Sequence, residues 1–300
     1  MTGSHDPLAR VYRSLSDMDP IDLVTRLTLL LLLLSTDVVG DAWQLKGALR
    51  VLALLGLLAP PLNRNRGLWL LVTVFLGART YYDLWTQPDH AFLLTYWALA
   101  LFLSLGLKDA GKALATSAKL LLGFCFLFAT LWKLLLSPEF MDGTSLCYAL
   151  MTDVRLQDVG VLLGGMKDTF YEHNLQELAR LGDPKVAVEA VTLQGSKELL
   201  ALAKTASMCV VAVEAALAVT LLWPGRWGPA RLRDALLLLF GITLGLIPLG
   251  VGFGFVLMIL GAAQCEPDRK RTRFLYVATC ALIVVLTYAE VPSCLRTLLC

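Results

Sequence analysis

The sequence predicts an all-α fold, a polytopic transmembrane helical bundle of about nine spans with no soluble domain. Three observations carry this expectation. Of 300 residues, 57% are hydrophobic and 17% charged, with mean hydropathy +0.67, too few charges to cover the surface of a soluble protein this large. The apolar residues come in long blocks separated by short polar segments, the pattern of helical membrane proteins. Basic residues also favour alternate connections, as the positive-inside rule requires.

The elements follow in order. A polar segment, 1–22, carries His5, Asp6, Arg10, Arg13, Asp17, Asp19 and Pro20. No small-residue cleavage site follows the first apolar block, so 23–39 reads as a retained span and not a removable signal peptide. Further spans are expected at 45–62, 67–85, 91–107 and 119–136, giving a first unit at 23–136. Pro60-Pro61 stops the second of them. The segment 137–200 is the sizeable extramembrane piece. Its stretches 154–163, 174–181 and 185–202 mix apolar and charged residues, and the last two read as amphipathic helices on the outer membrane face. Spans at 201–223, 235–250, 251–265 and 274–290 complete a second unit, 201–290, before an external tail at 291–300.

The block 235–264 is 30 residues, ~45 Å as helix against ~30 Å of hydrocarbon. Pro248 with Gly245, Gly250, Gly252 and Gly254 can break it into a hairpin of two short helices; one long, kinked and tilted helix is the alternative. Charge favours the hairpin. With a cytoplasmic N-terminus, the inside segments hold Arg10 and Arg13, Arg64 and Arg66, Lys108, Lys112 and Lys119, and Arg226, Arg231 and Arg233. The run 269–273 (Arg-Lys-Arg-Thr-Arg) joins them only if 235–264 crosses twice. Lys46 and Arg50 run against this orientation. The C-terminus is then external, and the expected location is an inner membrane of bacterial type.

Seven cysteines, at 125, 147, 209, 265, 280, 294 and 300, show no CxxC pair and no metal-ligand spacing, so no metal is expected. Most lie in apolar stretches as core residues; Cys147, Cys294 and Cys300 fall on the external side, where a disulfide among them is an open question. The chain has no Walker-type loop, no GxSxG and no HExxH. Basic–aromatic interleaving for nucleic acid is absent too.

Polar groups inside apolar spans are the candidate functional residues. Lys133 sits three residues from the outer end of its span. It reads either as an anchor snorkelling beside Trp132 or as a chemical group. Pro88-Asp89-His90 opens the preceding span at the same face, with Asp89 suited to an N-cap. Lys133 and His90 near one outer cavity would make an acid–base pair, because desolvation brings a lysine towards the range of a base. Glu214 lies centrally in 201–223 and must be protonated, paired or turned to an internal cavity; Arg79, in the third span, is its candidate partner. Arg26 snorkels towards the cytoplasm. Asp37 and Asp41 pair with Lys46 or Arg50 or are solvated, and Asp83 and Glu290 are interfacial. Tyr81, Tyr82, Trp85, Tyr96, Trp97 and Trp132 form an aromatic belt or, alternatively, an aromatic wall for a quinone-like substrate.

The run Phe128-Ala129-Thr130-Leu131-Trp132-Lys133-Leu134, followed by Pro138-Glu139-Phe140-Met141-Asp142-Gly143, resembles a motif of the HTTM (horizontally transferred transmembrane) domain. Asp89-His90-Ala91-Phe92-Leu93 is similar to the start of that family's preceding span. The family shares its membrane core with vitamin K-dependent gamma-carboxylases, and DoxX-like quinone-linked proteins are a more distant likeness. The resemblance covers roughly 20–150 and is faint over 201–290. It implies a base role for Lys133, an assisting role for His90, and a quinone as cofactor or ligand. Two departures stand out: Thr130 replaces the family glycine, and two extra residues separate Lys133 from Phe140. The chain shows no counterpart of the large luminal portion of the carboxylases, so the resemblance implies the membrane core and not protein carboxylation. Whether the chain is an enzyme is left open. The expected partners are the lipid bilayer, a quinone or lipid held by Asp89, Trp132, Tyr96, Trp97, Arg79 and Glu214, and a peptide or protein at 137–200. An accessory protein for peptide maturation, export or immunity and a small-solute transporter are the alternative functions.

Overall fold

The computed structural model describes residues 7–34, 43–82, 84, 89–182, 190–225, 232–246 and 251–288. The described residues contain helices and no strand. Those of the first unit are α1 (Pro7–Asp17), α2 (Pro20–Leu34), α3 (Trp43–Leu58), α4 (Arg66–Tyr82), α5 (Asp89–Ser104) and α6 (Ala110–Leu135). Four shorter elements follow: α7 (Pro138–Met141), α8 (Thr144–Thr152), α9 (Gln157–Leu162) and α10 (Asp168–Gly182). Then come α11 (Lys197–Leu222), α12 (Arg233–Leu246), α13 (Val251–Ala263) and α14 (Lys270–Tyr288).

Each expected span coincides with a helix. Among the described residues, α6 and α11 are long and apolar enough to cross a membrane; the apolar parts of α5 and α13 are shorter. Two boundaries differ from the expectation. The basic segment holding Lys112 and Lys119 is not a loop, because α6 starts at Ala110. Residues 190–196 are irregular, and helix resumes only at Lys197, where the Ser196 hydroxyl accepts from the Leu199 amide at 3.1 Å. The expected amphipathic helix at 185–202 is therefore replaced, in its described part, by a capped start of α11. The amphipathic helix at 174–181 lies within α10. The expectations for Asp37, Asp41, Asp83, Trp85, Pro88, Arg226, Arg231, Glu290, Cys294 and Cys300, and for the break at Pro248, fall outside the described residues.

Helix α13 is the axis of the bundle. It packs against α2, α5, α6, α12 and α14, and Phe255–Leu260 along it are essentially inaccessible. A helix that is apolar all round demands such a surrounding. Small residues let its neighbours approach: Met258 rests on Gly241, and a side chain at Gly261 would collide with Tyr276. Because Gly241 meets Met258 while Leu244 meets Gly254, α12 and α13 run antiparallel. Trp97, fully buried on α5, donates its indole N–H to the Thr28 hydroxyl of α2 at 2.9 Å.

Helices α6 and α11 form a second antiparallel pair. Gly123 meets Leu222, Lys133 meets Glu214 and Gly143 meets Lys204, so positions sum to nearly the same value along the pair. At 26 residues each, the two helices are about 39 Å long.

The connections before α2, between α3 and α4, α5 and α6, α11 and α12, and α13 and α14 gather at one end. Arg64 reaches Asp22 at 2.7 Å and Asp19 at 3.0 Å, joining the α3–α4 connection to the start of α2. The guanidinium of Arg66 lies against Gly106 and over the Phe102 ring. This end is strongly basic. Helix α1, unforeseen in the 1–22 segment, docks here on α14 through a Tyr12–Phe274 edge contact and an Asp17–Lys270 ion pair at 2.9 Å.

At the other end, 138–182 and 190–196 fold over the first turns of α11 as a cap with its own small core of Leu150, Leu156, Met166, Tyr171, Leu199 and Ala203. Asn174 is fully buried and ties this cap together. Its amide nitrogen donates to the Gln194 and Met151 carbonyls, and its oxygen accepts from the Gln194 amide at 2.7 Å.

Candidate functional site

Lys133 occupies the last turn of α6. Its ammonium donates to both carboxylate oxygens of Glu214 at 2.6 Å. The side chains are 19% and 8% exposed respectively. Of the options the sequence left open for Glu214, the structure shows pairing: its carboxylate meets the Lys133 ammonium between the two longest apolar helices. From Lys119 to Lys133 is 14 residues, about 21 Å along the helix.

Local sequence builds the pair. Helix α6 ends at Leu135, and Pro138 opens α7 at a position where a missing N–H costs nothing. The short α7 carries Phe140 back beneath the ammonium, with its ring centroid 5.2 Å from Nζ, within cation–π range. Gly143 then turns with φ 89°, a left-handed value, close against the Lys204 backbone of α11. Hydrogen bonds from Thr144, side chain first and backbone second, hold the exposed Asp142 carboxyl below the ordinary aspartate range. Thr130, one turn before Lys133, is buried and spends its hydroxyl on the Phe126 carbonyl at 2.8 Å. The outer wall of α6 beside the pair is apolar and exposed, with Phe128, Trp132 and Leu135 each more than 60% accessible.

On α11, Ser207 precedes Glu214 by two turns on the same stripe. It is inaccessible, and its hydroxyl makes no hydrogen bond among the described residues. A buried polar atom without a partner is costly. Neither Phe140 as the cover of Lys133 nor Ser207 was singled out from the sequence. The spacing of Ser207 from Glu214, seven residues and so two helical turns, was the available signal.

The structure distributes the other candidate residues around the molecule. Glu214 takes Lys133 as its hydrogen-bonded partner in place of the expected Arg79, which sits in the last turn of α4, a helix packed on α3 and α5. His90 is in the first turn of α5, its imidazole lying directly against Gly252 near the start of α13. Asp89 begins α5; its side chain is outside the described residues. Trp97 is committed to Thr28, whereas Tyr96 and Trp132, 58% and 61% accessible, stand on the outside with Tyr81 and Tyr82. The arrangement therefore brings Lys133, Glu214 and Phe140 together. No group of three or more potential metal ligands exists among the described residues.

Comparison with known proteins adds no relative: no family model, no curated protein and no solved structure matches this chain.

Proposed function

We propose that the chain is a multi-pass membrane protein with an HTTM-like core, nine of its helices crossing the bilayer and its basic end facing the cytoplasm. In this reading Lys133 and Glu214 form a proton-handling centre that acts on a quinone, or on a lipid of similar size, approaching from the membrane. The observation that carries the proposal is the ammonium 2.6 Å from both Glu214 oxygens inside the α6–α11 pair.

The chemistry follows from the pairing. As an ammonium, Lys133 is no base. Transfer of its proton to Glu214 leaves a neutral amine beside a neutral carboxylic acid, and a low-dielectric site penalises that state far less than it would an isolated charge. The amine then takes the O–H proton of a hydroquinone, giving ammonium, protonated Glu214 and a hydroquinone anion. No electron moves in this step; the acceptor of the proton is finally Glu214. Phe140 and the regenerated ammonium sit beside the anion. The unpartnered Ser207 hydroxyl supports a polar ligand contact on the same stripe of α11.

The test is titration of the detergent-purified protein with ubiquinone and menaquinone analogues, read by tryptophan fluorescence quenching. Saturable quenching is expected, weakened about tenfold in Lys133→Met, because a hydrogen bond to a charged group contributes roughly 1.5–3 kcal/mol. Equal, non-saturable quenching in both proteins would remove the quinone reading. A peptide-docking accessory role has one observation in its favour, the exposed Val154 and Leu163 of the cap, 70% and 68% accessible. A co-purifying protein that is lost on Leu163→Glu would establish that role instead.

A further inference from the structure

At the basic end of the bundle, the starts of α2, α6 and α12 and the ends of α11 and α13 enclose a cavity of about 1050 Å³. This is the upper end of the range for small-molecule sites and far more than an inorganic anion fills. Its walls divide by chemistry. Val24, Leu114 and Leu221 of the bundle core, with Leu120, give it an apolar wall, and Lys112, Lys119, Arg233 and Arg269 give it cations. We propose that this cavity binds an amphiphile with a phosphate-type anionic headgroup, the headgroup among the cations and its chains along the apolar wall.

The pairing of the cations, more than their net charge, supports an anion. Three carboxylates, Asp19, Glu266 and Asp268, also line the cavity. Asp19 is already matched by Arg64 at 3.0 Å. Asp234 is shared among the Tyr276 hydroxyl at 2.9 Å, Arg269 at 3.0 Å and the Gln264 amide at 3.4 Å. Arg233 is left with little. Its Nε lies 3.5 Å from Asp234, yet this nitrogen is buried and donates no hydrogen bond among the described residues. Among the described residues Lys119 reaches only the Trp223 carbonyl, at 3.5 Å, and stands close enough to Arg233 for the two cations to repel. A divalent oxyanion between them would relieve that repulsion and satisfy the guanidinium, which presents its donors in the planar fork that phosphate oxygens match.

The apolar wall selects the amphiphile over a free ion. Because the cavity lies at the opposite end of α6 from Lys133, this proposal stands or falls apart from the quinone reading.

The test measures binding of short-chain phosphatidic acid, short-chain phosphatidylcholine and inorganic phosphate to the full-length protein in neutral detergent. The double variant Lys119→Gln/Arg233→Gln removes the cations. Ala115→Trp, at a lining position of α6, keeps every charge and fills the space. Phosphatidic acid is expected to bind at least about tenfold more tightly than phosphatidylcholine, with each variant losing about tenfold in affinity, a step of ~1.4 kcal/mol. Equal affinity for the two lipids, or undiminished binding in either variant, overturns the proposal. So does competition by inorganic phosphate as effective as that by the lipid, which would make this a site for a free anion. Should the double variant fail to fold, Ala115→Trp alone decides.

Discussion

At the scale of single residues, the Lys133–Glu214 pair decides how substitutions behave. Removing one partner of a buried pair strands the other charge and typically costs about 3–5 kcal/mol, whereas replacing both with apolar residues of similar volume is nearly neutral. Lys133→Met should therefore lower the melting temperature of the detergent-solubilised protein sharply, and Lys133→Met/Glu214→Leu should restore it. The double variant is informative because it regains stability without regaining ligand binding, which separates a structural clamp from a working site. Asn174 gives a second residue-scale prediction. Asn174→Leu leaves backbone groups of Gln194 and Met151 without partners at about 1–3 kcal/mol. The loss should fall on the cap, seen as faster amide exchange over 144–182 with α2–α6 unchanged. Glu214 was legible in the sequence as a charge too deep to be idle, and Lys133 as either an interface anchor or a chemical group. Their pairing was not, because the 81 positions between them conceal that α6 and α11 are antiparallel neighbours. That register is set by Gly123 and Gly143, neither of which carries any charge to notice.

Helix boundaries and caps define the next scale. Apolar length, with Pro60 as a stop, located the helices that coincide with the expected spans. Where the sequence misled, charge had been given too much weight: the helix was expected to begin at Lys119 with Lys112 in the connection before it, yet lysine is a good helix former and α6 already begins at Ala110. Helix α1 was missed for the converse reason, since its amphipathic face is short and acquires meaning only on docking against Phe274 and Lys270. Gly143→Ala should be strongly disruptive, because the left-handed turn penalises any Cβ by roughly 1–2 kcal/mol and the Lys204 backbone blocks it as well; loss of thermal stability reports it. The cap also carries an acid-sensitive contact. A hydrogen bond from Arg155, reinforced by its charge, holds the Asp153 carboxyl below the ordinary aspartate value. A depressed folded value contributes stability above the unfolded value, near 4, and loses it as pH falls through the folded one. With Arg155 about half exposed, the effect should stay under about 1 kcal/mol. Asp153→Asn should flatten the acid limb of the cap's unfolding curve.

The whole molecule has one polarity: basic connections at one end, the cap at the other, and an ion pair that joins the last turn of α6 to the interior of α11. Composition alone made the all-helical class readable. The central position of α13 was hidden, because the sequence of a helix buried by protein and one buried by lipid is the same, apolar all round. Single cysteines placed at Lys108 and Leu163 in a cysteine-free background should label from opposite sides of sealed vesicles, Leu163 from outside; labelling from one side would exclude the nine-span arrangement. The most direct measurement is infrared difference spectroscopy of the reconstituted protein on addition of a hydroquinone. A protonated-carboxyl band is expected to appear with ligand and to be absent from both Glu214→Gln and Lys133→Met. A ligand that binds without that band, or a band that persists in Glu214→Gln, would contradict proton transfer through the pair.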